Sequence, residues 1–246
     1  MVDGMKQTSP QLPVLRSKLA ALAQPEKAKS SARFFKTGPG DYAEGDQFLG
    51  ISVPEIRTIA RSAREISQTE ILLLLRSPLH EERLLALFLL IQQFKASTHT
   101  EQHAIYKEYL AHTTHINNWD LVDTSAAHIV GSYLATQSAD TIKSTLHRLA
   151  NSSLLWERRI AMVATFHWIK AGEASQALDI ATILLHDKED LIQKAVGWML
   201  REVGKRCSRE ILRAFLDAQV SKMGRTALRY SIEHFPEPLR QAYLNA

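Results

Sequence analysis

The chain has 246 residues, 45% of them hydrophobic, and a formal net charge of +4. A chain of this length and apolar content can bury a sizeable core, so it is expected to fold unaided as one large domain or two small ones. Cys207 is its only cysteine, which excludes an internal disulfide and a thiolate metal cluster and fits a reducing compartment. No segment approaches the roughly eighteen apolar residues of a membrane span, and the N-terminus lacks the apolar run of a signal peptide. We therefore expect a soluble, cytoplasmic protein.

The N-terminal part of the chain begins with a tail and continues into a helix and a loop. Residues 1–11 are expected to be a disordered tail, and residues 12–246 a single domain. Pro25 stands at a plausible first position of the helix PEKAKSSARFFK. The Gly, Pro and Asp residues of KTGPGDYAEGD, residues 36–46, then predict a long loop.

From Pro54 onwards, apolar residues recur at helical spacing and no stretch alternates as a strand would. The fold class is therefore predicted to be all-α. The helical runs form pairs with short connectors and a period of about 35 to 45 residues, which is typical of HEAT-like or armadillo-like stacks. Such antiparallel pairs would build a curved solenoid, a superhelix whose concave face can wrap an extended ligand. A globular helical bundle is the structural alternative.

The segment NNWDLVD, residues 117–123, predicts a helix that begins after an Asn cap. Trp119 and Asp123 are four positions apart, so an indole ring and a carboxylate share one flank of this helix. The alternative is that Asp123 caps the helix or forms a salt bridge and that Trp119 belongs to the peripheral core. Asp120 lies in the first helical turn, suits the helix dipole and is expected to have a structural role.

The segment WERRIAMVATFHW, residues 156–168, contains a charge within an apolar stripe. Arg159 is followed at helical spacing by Met162, Val163 and Phe166, so its guanidinium needs a partner. A carboxylate such as Asp123 would serve, and so would a phosphate bound in the bidentate geometry that Arg favours. A purely structural ion pair between helices remains the alternative.

The segment QKAVGWMLREVGKR, residues 193–206, predicts a helix with two different faces. Its core face carries Ile192, Ala195, Val196, Met199, Leu200 and Val203. Its opposite face carries Lys194, Trp198, Arg201 and Lys205, which places a large ring within a basic ridge. Basic residues outnumber acidic ones along the final third of the chain, which suggests a polyanionic partner such as nucleic acid. A solvated basic surface is the alternative.

Other motifs predict no cofactor and no metal. The loop GPGDYAEGD lacks the GK[ST] of a phosphate-binding loop and the glycine spacing of a dinucleotide site. His99 with His103, and His112 with His115, have no further Cys or carboxylate ligand close in sequence. No Ser or Cys occurs in a recognisable nucleophile motif.

Several short motifs occur together in the order of one known family. With them the chain resembles the AlkD family of bacterial DNA alkylation-repair glycosylases, from about Pro25 to near the C-terminus. The resemblance implies a solenoid of HEAT-like repeats. The motifs are PEKAKSSARFF, GDQFLGISVPEIR, NNWDLVD, WERRIA and IQKAVGWMLREVGK.

The resemblance also implies a set of site residues. The family's lesion-side residues are a Trp and an Asp four residues apart, the second Arg of a W-x-x-R motif and the Trp of a GW pair. They correspond here to catalytic residues Trp119, Asp123, Arg159 and Trp198, with Arg159 expected to bind a phosphate. At Phe34 some members carry a Tyr, so a hydroxyl contact is absent here. The expected DNA-binding residues are Lys194, Arg201, Lys205, Arg158 and Phe34.

The activity implied by the resemblance is removal of a damaged base. Such an enzyme hydrolyses the N-glycosidic bond of cationic N3- or N7-alkylated purines in duplex DNA and leaves an abasic site, as a monofunctional glycosylase without a cofactor. The protein would act as a monomer in the bacterial cytoplasm, on DNA of the nucleoid. The alternatives are a non-catalytic DNA-binding paralogue and a helical-repeat scaffold that binds a protein partner.

Overall fold

The computed structural model describes residues 11–63 and 65–245, so the predicted tail lies, except for Gln11, outside the described residues. Within these ranges the chain contains helices and no strand, and an isolated parallel bridge joins Gln47 and Leu79. None of these helices is long and apolar enough to cross a membrane. The α-helices are α1 (Leu12–Leu22), α2 (Pro25–Phe34), α3 (Val53–Arg61), α4 (Gln68–Leu75), α5 (His80–Ala96), α6 (His99–Ala111), α7 (Trp119–Ala126), α8 (Ser132–Leu134), α9 (Ala139–Ala150), α10 (Leu155–Ala164), α11 (Phe166–Lys170), α12 (Ser175–Leu184), α13 (Asp190–Arg206), α14 (Arg209–Gln219), α15 (Arg225–Ser231) and α16 (Glu237–Leu244).

Local sequence signals explain where several of these helices begin. α2 starts at Pro25, as predicted, because proline lacks the N–H that the first turn would leave unpaired. α4 starts after a capping box in which Ser67 and Glu70 bond each other's backbone N–H groups. A π-helical turn, Ala127–Gly131, continues α7 into α8. The all-α prediction is confirmed.

The described chain forms two compact units. The first contains the described residues up to Ile105 together with Thr114–Leu121. The second contains Tyr106–Thr113 and the described residues from Val122 onwards. The prediction of a single domain over residues 12–246 stays a prediction.

In the first unit, α3 and α4 pack on α5, and α1 packs on α3 and α4. The first turn of α5 is unusual because its charged side chains are buried. Glu81 accepts the backbone N–H groups of Leu49 and Gly50, and Glu82 pairs with Arg16. These partners satisfy carboxylates that would otherwise be costly to bury.

In the second unit, α13 contacts α10, α12, α14 and α15, and α9 packs on α10. The predicted core stripe of α13 is confirmed, since all six of its residues are buried. Gly197 lies on the side of α13 that faces α15. A Cβ atom there would lie 2.4 Å from the Cβ of Tyr230 and 2.5 Å from the carbonyl oxygen of Ala227. Glycine therefore allows α15 to approach the helix beside Trp198.

Candidate functional site

The second unit contains an ion pair between Asp123 on α7 and Arg159 on α10. Arg159 donates from Nε to Oδ1 at 2.9 Å and from Nη2 to Oδ2 at 2.8 Å. Its Nη1 donates to the carbonyl oxygen of Leu191 at 2.5 Å. The Asp123 side chain is 19% exposed and the Arg159 side chain 5%. Of the two partners predicted for Arg159, a carboxylate and a phosphate, this structure contains the carboxylate.

Three of the five N–H groups of Arg159 donate to protein acceptors, and the predicted phosphate contact of Arg159 stays a prediction. The paired donors fix the plane and direction of the Asp123 carboxylate. Tyr109 lies in the same unit, fully buried, with its hydroxyl 2.8 Å from Ser125 Oγ. Burial raises the pKa of Tyr109, the Ser125 hydrogen bond lowers it, and the charge of Asp123 raises it further. Tyr109 is therefore a neutral, buried neighbour of the ion pair.

The adjacent Arg158 has a different set of partners. Its Nε donates to Asp187 Oδ2 at 2.6 Å, and its Nη1 donates to the carbonyl oxygens of Ser152 and Ser153. The guanidinium therefore joins α10 to the segment between α12 and α13. In this structure the guanidinium is occupied by acceptors within the protein, and the DNA contact of Arg158 stays a prediction.

The outer face of α13 brings Trp198 into the basic ridge predicted there. The half-buried indole lies 6.0 Å from the ring of Phe166, measured between centroids. Lys194 pairs with Asp190 at 2.8 Å, and Arg201 pairs with Glu233.

Lys205, one turn beyond Arg201, is exposed. Part of the ridge charge is thus neutralised by Asp190, one turn before Lys194 on α13, and by Glu233, which the sequence of α13 does not reveal as a neighbour.

A cavity of about 390 Å³ opens beside this ridge. Its lining combines basic side chains with the apolar side chains of Leu212 and Phe235, and one of the basic residues is Arg201, which pairs with Glu233. The lining residues are Arg201, Gly204, Lys205, Arg209, Leu212, Ser231, His234 and Phe235.

In the first unit, Trp119 begins α7 and belongs to an aromatic cluster. Asn118 directly precedes the helix, as predicted, and its side-chain oxygen accepts the backbone N–H of Trp119 at 2.8 Å. The indole stacks on Phe35 with centroids 5.3 Å apart and meets the edge of Phe34 at 5.9 Å. Phe34 is 67% exposed. A large ring at the end of α2 is therefore available to a partner, as the predicted DNA contact of Phe34 requires.

A second charged cluster, which the sequence did not reveal, lies in the same unit. His80 Nε2 lies 2.8 Å from Asp120 Oδ2, and His80 Nδ1 lies 3.2 Å from Asp46 Oδ2. Arg83 donates to the other oxygen of Asp46 at 2.6 Å. The expected structural role of Asp120 thus includes this contact.

Burial lowers the pKa of His80, but the hydrogen bonds to Asp120 and Asp46 outweigh it and raise the pKa to about 9. For Asp46, burial raises the pKa, and the His80 hydrogen bond and the Arg83 charge together bring it below its usual value. His80 is therefore charged at neutral pH. Hydrophobic periodicity could not identify this cluster, because its members come from three distant segments.

Within the described residues, no three His, Cys, Asp or Glu side chains are grouped closely enough to hold a metal ion.

Comparison with known proteins supports the resemblance drawn from the motifs. A family model described as DNA alkylation repair enzyme matches residues 15–235. A predicted DNA alkylation repair enzyme from Enterococcus faecalis has a similar structure, with a TM-score of 0.68 and 17% identity over 87% of this chain and 97% of that one. AlkD2 from Streptococcus mutans has a TM-score of 0.53 and 14% identity over 92% of this chain and 97% of that one. No curated protein sequence gives a significant match. The structural similarities show the fold and confirm the predicted fold class.

Proposed function

Because the chain belongs to the DNA alkylation repair enzyme family, we propose that it is a monofunctional DNA glycosylase. Its substrate is a cationic N3- or N7-alkylated purine in duplex DNA, and its products are the free base and an abasic site. The observation that carries this proposal is the Asp123 carboxylate, partly exposed and held by two donors of Arg159. Trp119 precedes it by four positions on α7.

The chemistry requires one acid and little proton donation to the base. An alkylated purine of this kind is cationic, and it leaves as a neutral base when it takes the electron pair of the glycosidic bond. Positive charge then develops on the sugar, and a fixed carboxylate stabilises that charge. Water adds its oxygen to C1′ and gives up a proton, for which Asp123 is the proposed acceptor.

Arg159 acts in this scheme as a positioning residue. Its bidentate contact holds both oxygens of Asp123, and its third donor is tied to the backbone at Leu191. A carboxylate fixed in this way needs little reorganisation when charge develops in the transition state. The phosphate contact that the resemblance implies for Arg159 stays a prediction.

The aromatic and basic residues are proposed to bind the damaged DNA. Trp119 and Trp198 would offer ring faces to the cationic nucleotide, each contributing about 0.5 to 2 kcal/mol. Lys194, Arg201 and Lys205 would contact backbone phosphates, giving salt-dependent binding with little sequence preference.

The test is release of free bases from duplex DNA treated with a methylating agent. Asp123→Asn should lower release by roughly 10²-fold or more while leaving duplex binding intact. Asp187→Asn is the matched control, because it makes the same change in the carboxylate that pairs with the adjacent Arg158. The control should release bases like the unmodified protein.

Three results would contradict the proposal. Full activity of Asp123→Asn would remove the carboxylate from the mechanism. No release by the unmodified protein, together with salt-sensitive duplex binding, would support a non-catalytic DNA-binding protein instead. Absence of both release and DNA binding would favour the protein-binding scaffold.

A further inference from the structure

Trp119 is held at three points within the first unit. Its backbone N–H is capped by Asn118, whose own amide donates to Asp46 Oδ2 at 3.3 Å. The following residue, Asp120, contacts His80. The indole ring stacks on Phe35. All three contacts lead back to the buried cluster of Asp46 and His80, since Phe35 also lies against the imidazole at 5.0 Å between centroids.

The geometry around His80 requires a cationic ring. Both ring nitrogens face carboxylate oxygens, and only the doubly protonated imidazole can donate from both. Phe48 stacks on the same ring, with centroids 4.6 Å apart, so an aromatic face lies against the cation.

The charges that act on this ring are Asp46, Asp120 and Arg83. The neighbouring Glu81 and Glu82 are bonded elsewhere, to backbone N–H groups and to Arg16. His80 therefore joins two carboxylates that would repel each other without it.

We infer that His80 is a positioning residue for Trp119, acting on the start of α7 through Asp120 and on the indole face through Phe35. This inference rests on the proposed function, in which the Trp119 ring contacts the damaged nucleotide. Loss of the His80 charge would remove the cation beside Asp120 and one of the two cations beside Asp46, and would loosen the start of α7. The side chain of Trp119 would then be displaced, while the basic residues of α13 would stay unchanged.

The first experiment compares His80→Gln with the unmodified protein at saturating enzyme. The rate of base release should fall by about 10- to 100-fold, since small misplacements of a contact group have effects of that size. The Kd for undamaged duplex DNA should stay the same, because the basic residues of α13 are unchanged. In the NMR spectrum the indole N–H resonance of Trp119 should shift, whereas those of Trp156, Trp168 and Trp198 should not.

His147→Gln is the matched control, because His147 also contacts a carboxylate, Asp179, at 2.6 Å, and belongs to the second unit. It should change neither the rate nor the Trp119 resonance.

Asp120→Asn keeps the side-chain shape but removes one charge that favours the imidazolium. The pH at which the rate declines on the alkaline side should therefore be lower in this variant than in the unmodified protein.

The outcomes separate the two proposals. If the unmodified protein releases bases and a folded His80→Gln does so equally fast, the positioning role is wrong. If His80→Gln does not fold, Asp120→Asn decides: an unchanged alkaline decline and an unshifted Trp119 resonance overturn the role. If no protein releases bases but the Trp119 resonance still shifts, the link between His80 and Trp119 stands and the proposed function fails.

Discussion

The two units each bury an acid beside a cation, and they do so in different ways. In the first, the side chains of His80 and Asp46 are only 3% and 4% exposed, and the cation can lose its proton. In the second, Asp123 is 19% exposed and its partner is a guanidinium, the side-chain group that acts as a permanent cation in proteins. An enclosed, titratable cluster is suited to fixing the position of a backbone segment such as the start of α7. A partly open carboxylate with a permanent partner suits chemistry on a substrate.

The largest expected effect comes from breaking the pair of the second unit. Arg159→Ala leaves Asp123 without its main partner, so we expect a loss of about 3–5 kcal/mol in the free energy of unfolding. Base release per folded molecule should also fall by about 100-fold, because the carboxylate loses its orientation. Urea unfolding and single-turnover release measure the two effects.

Arg158→Ala is the control for that variant, since it removes the adjacent arginine and its pair with Asp187. It should lower stability without lowering release per folded molecule. Equal losses of release in both variants would show that the distinction between the two arginines has no functional meaning.

We expect the cluster of Asp46, His80 and Asp120 in the first unit to make the free energy of unfolding depend on pH. The pKa of His80 is raised in the folded state from 6.5 to about 9, so its stabilisation is complete below pH 6.5 and is lost as pH rises to about 9. The loss should be on the order of a few kcal/mol. Burial and the charge of Lys170 lower the pKa of His167. Its effect on stability therefore falls below pH 6.5, outside the range from pH 6.5 to 9 in which His80 acts on stability.

Urea unfolding across that pH range is the measurement, with Asp120→Asn as the comparison. The variant should lose less stability with rising pH, because the pKa of His80 is raised less without that carboxylate. Parallel curves for the two proteins would contradict a charged His80.

The packing of α13 should give a smaller effect. Gly197→Ala places a Cβ against the backbone of Ala227 and the Cβ of Tyr230, so we expect a loss of about 1–3 kcal/mol. Gly204→Ala, on the same helix, meets mainly the flexible end of Leu212. Thermal unfolding should show a clearly lower Tm for the first variant than for the second, and the reverse order would contradict the close approach of α15.

The smallest effect concerns an exposed charge. Lys205→Ala should weaken duplex binding equally for all sequences and lower the slope of log Kd against log salt by about 1. Arg158→Ala should leave the slope unchanged, because its guanidinium is occupied within the protein. A slope change in Arg158→Ala but not in Lys205→Ala would reverse the assignment of DNA contacts.

Much of the fold follows from local sequence. The helical period predicts α13 and its six core residues, the Asn cap predicts the start of α7, and Pro25 predicts the start of α2. These features depend on residues within a few turns of one another, so a single segment contains the information. The sequence analysis predicts no helix at α1, although Leu12, Leu15, Leu19 and Leu22 recur at helical spacing there.

Partners of charged side chains depend on which distant segments pack together. The sequence indicates that Arg159 needs a partner, and the adjacent Arg158 is predicted to contact DNA. Only the packing of α10 shows that the two arginines pair with different carboxylates, Asp187 for Arg158 and Asp123 for Arg159. Asp46 and Asn118 are 72 positions apart, and His80 joins both of their segments. Helical periodicity determines which side chains face inward. The tertiary structure alone decides which of them meet, because ion pairs form between segments that have no regular spacing in the chain.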